Sequence, residues 1–152
     1  MDQYKFQYCQ KMVVYSAAET EVLLCRRRQE VDFAATFSFI GGKMEIKDQG
    51  FVDSLRREKN EEVGPDFKIK IFPTFTTNVL FTKKDGNSMV LPHYYAIYER
   101  GAIKLNDEYS EFKWVPLAAI DSFEPKIYTI PGVLAKFETL RKIIRQTKSV
   151  II

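Results

Sequence analysis

At 152 residues, with 45% of them hydrophobic and 28% charged, the chain is long enough to bury one substantial core and too short for two. No uncharged apolar run reaches the roughly 18 residues of a membrane span, and the opening MDQYKFQYCQ lacks the basic, apolar, small-residue order of a secretory signal. A single soluble, cytoplasmic domain over 1–152 is expected, with no membrane partner, and a net charge of +3 spread among interspersed acids gives no footing for nucleic-acid binding while leaving small anions open.

Taken in chain order, Met12–Ser16 and Val22–Arg27 read as strands joined by a turn through Ala17–Thr20. The two cysteines, Cys9 and Cys25, have neither zinc-ligand spacing nor a disulfide framework, and Cys25 sits in an apolar run as a small hydrophobe. Arg26, Arg27 and Arg28 follow that run directly, at the end of a buried strand, where they would either grip a phosphate or simply face solvent. Phe33 to Ile40 is rich in β-formers and leads into Gly41 and Gly42. Over Phe51–Val63 the apolar residues Val52, Leu55 and Val63 recur at helical spacing, and Gly64 followed by Pro65 ends the helix.

Phe67–Phe72 alternates apolar and charged residues, and Thr76–Thr82 continues as a strand to a turn over Lys83–Asn87. Met89–Glu99 is a second long strand and Phe112–Val115 a short one, before a helix over Gly132–Thr147 striped by Val133, Phe137, Leu140 and Ile144. Antiparallel strands with two well-separated helices predict an α/β fold: one sandwich, helices packed on the faces of a mixed sheet.

The first helix ends on Glu58, Glu61 and Glu62, which at 100° per residue fall within an arc of about 100°. Each like-charged neighbour costs about 0.2–0.5 kcal/mol, and the last helical turn carries the negative end of the dipole. A hard divalent cation among the carboxylates would reverse that sign, since Mg²⁺ takes oxygen ligands; a solvated acidic face is the plainer alternative. Arg57, four residues before Glu61, can hold one carboxylate in its planar fork. Upstream, Gly41 and Gly42 let backbone carbonyls and amides approach a metal or phosphate, and Lys43 follows at once, though Gly-Gly-Lys alone also reads as a turn.

Arg57, Glu58, Glu61, Glu62 and Gly64 together resemble the second half of the signature of the Nudix hydrolases, G-x5-E-x7-R-E-U-x-E-E-x-G-U with U bulky and apolar, and Gly41, Gly42, Lys43 and Glu45 resemble its opening. EVLLCRRR, FSFIGG and EFKWVPLAAI extend the likeness over about residues 12 to 145. Three positions depart from it. Counting back from Arg57 puts the first acid of the pattern on Gln49, counting forward from Gly42 puts it on Asp48, and the two U positions hold Lys59, expected to snorkel its stem over the core, and Pro65.

The resemblance implies a Nudix-like α/β/α sandwich that hydrolyses the pyrophosphate bond of a nucleoside diphosphate linked to another moiety: a nucleoside triphosphate, a nucleotide sugar, ADP-ribose or a dinucleoside polyphosphate. It implies Mg²⁺ or Mn²⁺ held by Glu58, Glu61, Glu62 and the Gly41 carbonyl, with one of these glutamates or a later loop acid as base. Lys43 and one or more of Arg26, Arg27 and Arg28 would neutralise the phosphates. A further metal ligand is expected from Glu108 or Glu111, with Glu111 preferred. His93 would line the substrate pocket or serve structure; Phe33, Phe37, Phe39, Tyr94, Tyr95 and Trp114 would stack on a base or, more simply, fill the core. The rival expectation, resting on Gln49, Lys59 and the altered loop, is a non-catalytic Nudix-like module that binds a nucleotide or a protein. A homodimer is implied by relatives, and the apolar ending SVII would pack on a partner or on its own domain.

Overall fold

The computed structural model describes residues 6–28 and 35–152. In chain order these form β1 (Phe6–Tyr15), β2 (Glu21–Arg27), β3 (Phe37–Ser38), β4 (Ile40–Lys43), α1 (Phe51–Val63), β5 (Lys68–Thr82), β6 (Ser88–Arg100), β7 (Tyr109–Pro116), a 3-10 turn at Leu117–Ala119, α2 (Ile130–Arg145) and β8 (Val150–Ile151). The sheet runs β3-β2-β1-β6-β5-β8, with β4 also on β1 and β7 also on β2. It is mixed because β1 and β6 pair in parallel while the other pairs are antiparallel.

Alternation along β1 builds two cores. Val13 and Tyr15 pack on one face with Phe137 and Ile144 of α2, while Met12 and Val14 pack on the other with Leu55 and Val63 of α1. The result is the expected three-layer α/β/α sandwich. A strand buried on both faces has no polar side to show, which is why β1 reads as a nearly unbroken apolar run after Lys11.

The hairpin of β1 and β2 closes at Ser16, whose amide donates to the Glu21 carbonyl at 2.9 Å, and the strands pair at Tyr15 and Val22. Beyond that point they part. β4 takes the free edge of β1 from Cys9 to Met12, and β3 takes that of β2 at Cys25 and Arg26. The short β3–β4 segment therefore crosses the split and delivers Gly41 and Gly42 into it. Gly41 has φ +137°, and a side chain there would collide with the Gln10 carbonyl oxygen, so the close approach of β4 to β1 requires glycine.

Three expectations need correction. Phe67–Phe72 and Thr76–Thr82 belong to one strand, β5, whose register jumps between Phe72 and Thr76; Pro73 lies in that irregularity, where its missing amide breaks no regular ladder. Lys59 does not snorkel: it is fully buried, and its Nζ donates to the carbonyls of Gly64 (3.2 Å) and Phe67 (2.7 Å) just past the helix end. α2 begins at Ile130 rather than Gly132, with Pro131 in its first turn. Of the two placements open to the SVII ending, the structure takes packing on its own domain: β8 pairs with β5, and Ile152, 2% exposed, exchanges two backbone hydrogen bonds with Ile69. Phe33 lies outside the described residues. Among those described, no helix is long and apolar enough to cross a membrane.

Candidate active site

The split in the sheet opens a cleft of about 490 Å³, and α1 turns Glu58, Glu61 and Glu62 into it. Glu62 is 1% exposed; its carboxylate accepts from the Gly41 amide (2.7 Å) and the Tyr109 hydroxyl (3.2 Å). Burial pushes its pKa up to about 8, against the opposing pull of the Lys11 charge and the Gly41 amide. Glu58 is raised too, again by burial, with Arg57 working against it from 3.0 Å. Its carboxylate lies over Gly42, where any Cβ would overlap it, so the second glycine is the cradle for this acid. Glu61 is the open member of the set, its side chain 55% exposed and 3.3 Å from Arg57.

Arg57 does not spend its fork on Glu61. Its Nε and Nη2 grip Asp48 at 2.8 and 2.9 Å, and Nη2 also reaches the Lys43 carbonyl at 3.1 Å, leaving Nη1 for Glu58 and Glu61. Asp48, held well below the usual carboxylate range by that guanidinium, therefore fills the acidic position of the loop, and Gln49 does not: its backbone N–H instead donates to Asp53 at 3.1 Å. A charge clamp thus ties the glycine strand, the loop and α1 into one unit.

The basic cluster divides. Arg27 lines the cleft, hydrogen-bonded to Ser38 Oγ at 3.1 Å, and Lys43 lines it from β4. Arg26 turns away to bond Glu111 at 3.1 Å and the Ala35 carbonyl at 3.0 Å, and Arg28 is exposed past the strand end. Glu111 is thereby removed from the cleft, and Glu108 stands in it instead. The cause is strand alternation. Arg26 faces Glu111 across β2 and β7, a register shift follows, and Arg27 faces Tyr109 on the opposite side of the sheet.

His93 lines the cleft beside Phe39, whose ring meets it edge-on at 5.7 Å; burial lowers its pKa to about 4, leaving it neutral, and its Nδ1 lies 2.8 Å from the Leu91 carbonyl. Phe37, Tyr94 and Tyr95 are core residues, and Trp114 packs edge-on against Tyr98 away from the cleft. Sequence reasoning missed Lys11, which is 8% exposed on the cleft wall; its one signal was a lone cation in YCQKMVVY.

The donor set suits a hard divalent cation: carboxylates from one helix share the cleft with glycine backbone, and two of them are buried at a desolvation cost that a cation would offset. Among the described residues no three acids, histidines or cysteines converge on one point.

A three-layer sandwich with an acid-lined cleft at the sheet split is the architecture of a Nudix-type domain. The NUDIX domain family matches residues 10–136, and the chain belongs to that family; in class it is a Nudix-type pyrophosphohydrolase. In fold it is similar to the MutT protein of Methanosarcina mazei (TM-score 0.75, 21% identity, covering 93% of this chain and 99% of that one). The Ap4A hydrolase of C. elegans gives 0.72 at 16% identity (90% and 98%), and the NUDIX domain of Shewanella oneidensis NrtR, solved with ADP-ribose, 0.65 at 19% (95% and 90%). No curated protein sequence matches the chain.

Proposed function

We propose that this chain hydrolyses the pyrophosphate bond of a nucleoside diphosphate derivative with the help of Mg²⁺ or Mn²⁺, in the cytoplasm, where the free thiols of Cys9 and Cys25 are at home. The observation that carries the reading is the sharing of one cleft by Glu58, Glu61 and Glu62 with Lys43 and Arg27, acids for a cation beside cations for phosphate. Glu58, Glu61, Glu62 and the Gly41 carbonyl would hold the ion, with Glu108 near, and when bound it would neutralise phosphate charge and acidify the attacking water. Lys43 and Arg27 orient the diphosphate, and Arg57 sets Glu58 and Glu61 through Nη1. Glu61, the most exposed and least engaged acid, takes the proton from water. The substrates named for similar folds, an Ap4A hydrolase and an ADP-ribose complex, keep dinucleoside polyphosphates and ADP-ribose foremost among the candidates.

A panel of dinucleoside polyphosphates, ADP-ribose, nucleotide sugars and nucleoside triphosphates, assayed with Mg²⁺ or Mn²⁺, tests this. Turnover should depend on the cation and fall about 10²-fold or more in Glu61→Gln and Glu62→Gln. The pinned state of the buried acids favours a second reading, a module that binds without cleaving; metal binding with no turnover on any panel member would establish it in place of the first.

A further inference from the structure

The chemistry proposed so far leaves Lys11 unused. It sits on β1 on the face of Val13 and Tyr15, 8% exposed, with its side chain on the cleft wall. No hydrogen bond or ion pair from the described residues engages its ammonium. Glu62 is near enough to feel the charge, yet its oxygens are committed to the Gly41 amide and the Tyr109 hydroxyl. A lysine that buries its stem on a central strand and brings its ammonium to the cleft without a protein partner is costly, and an apolar residue would serve packing better. Its place is equally specific. Lys11 pairs with Gly41 on one side and His93 on the other, so its backbone stands one strand spacing, about 4.8 Å, from the strand that grips Glu62 and the same from the strand whose His93 borders the apolar end of the cleft with Phe39 and Leu91.

We infer that Lys11 is an anion-binding residue on the cleft wall, taking the phosphoryl group that joins the scissile bond to the organic part of the substrate, whose apolar portion lies along Phe39, Leu91 and His93. This rests on the proposed function and narrows it: the substrate carries a charged phosphoryl directly between its cleaved end and an apolar group, and an uncharged nucleoside makes no use of Lys11.

The test measures binding in the full chain. Wild type, Lys11→Met and Lys11→Arg are titrated calorimetrically with α,β-methylene-ADP plus Mg²⁺, which is not cleaved at that linkage, and with adenosine, alongside thermal melts. Loss of one charge-assisted contact should weaken the methylene analogue about 10- to 100-fold in Lys11→Met, leave adenosine unaffected, and be largely restored in Lys11→Arg. The melting temperature of Lys11→Met should stay level or rise, which a structural lysine would not allow. Equal binding of the analogue by Lys11→Met and wild type overturns the inference, as does parallel loss of both ligands with a lowered melting temperature, or failure of wild type to bind the analogue. Lys11-dependent binding in a chain that cleaves nothing sinks the hydrolase reading alone; undiminished cleavage by Lys11→Met sinks this one alone.

Discussion

Glu62 carries a pH signature that falls across the neutral range. Its folded pKa of about 8 lies above the ordinary value of 4.5, so between those values the metal-free folded state keeps a proton that the unfolded chain has lost. Stability therefore falls as pH rises from 4.5 to 8, with the penalty complete above that window. His93 works the other way: with a folded pKa of about 4 against 6.5, it costs stability as pH falls from 6.5 through 4. Urea melts of the metal-free protein at pH 5, 7 and 9 should show the decline toward alkaline pH, and Glu62→Gln should flatten it. Added Mg²⁺ should stabilise most at high pH, where the carboxylate is already free of its proton. At this scale the helix acids were legible because 3.6-residue spacing alone gathers them. The choice among Arg26, Arg27 and Arg28 was not, since it turns on a register shift in a strand pair distant in sequence. The role of Asp48 was open for a like reason: a loop's path decides which neighbour meets Arg57.

Helix α1 and its flanking glycines make two tests at the level of the element. Gly42→Ala would push a methyl into the Glu58 carboxylate, so divalent affinity and turnover should drop about 10-fold or more while circular dichroism stays native. Lys59→Ala removes a buried stem and the donor to the Gly64 and Phe67 carbonyls, and should cost about 2–4 kcal/mol in urea unfolding. Both ends of α1 were readable from the chain, since an apolar stripe stops at Gly64 and Pro65. The burial of Lys59 was not, because only the returning strand brings the Phe67 carbonyl within reach. Strand β5 was read as two pieces for a comparable reason: proline signals a break, and the neighbour that bridges it, β6, lies far along the sequence.

Across the whole molecule, the two cores meet at β1, and the closing strand β8 anchors the outer edge through Ile152. Ile152→Ala should cost about 2–4 kcal/mol, read from urea unfolding, because its side chain is 2% exposed in the core shared with Phe67 and Ile69. The layered class followed from the order of strands and helices, but the parallel pairing of β1 with β6 did not, as no local pattern reports which distant strand lies alongside. That pairing has a consequence for how occupancy is felt. β4, β1 and β6 stand side by side at Gly41, Lys11 and His93, so a ligand lying across them works as a rung between chain segments that fold from far apart. Deuterium uptake should then slow on filling the cleft at the middle of the sheet, around residues 9–12, 40–43 and 91–94, more than in the surrounding loops.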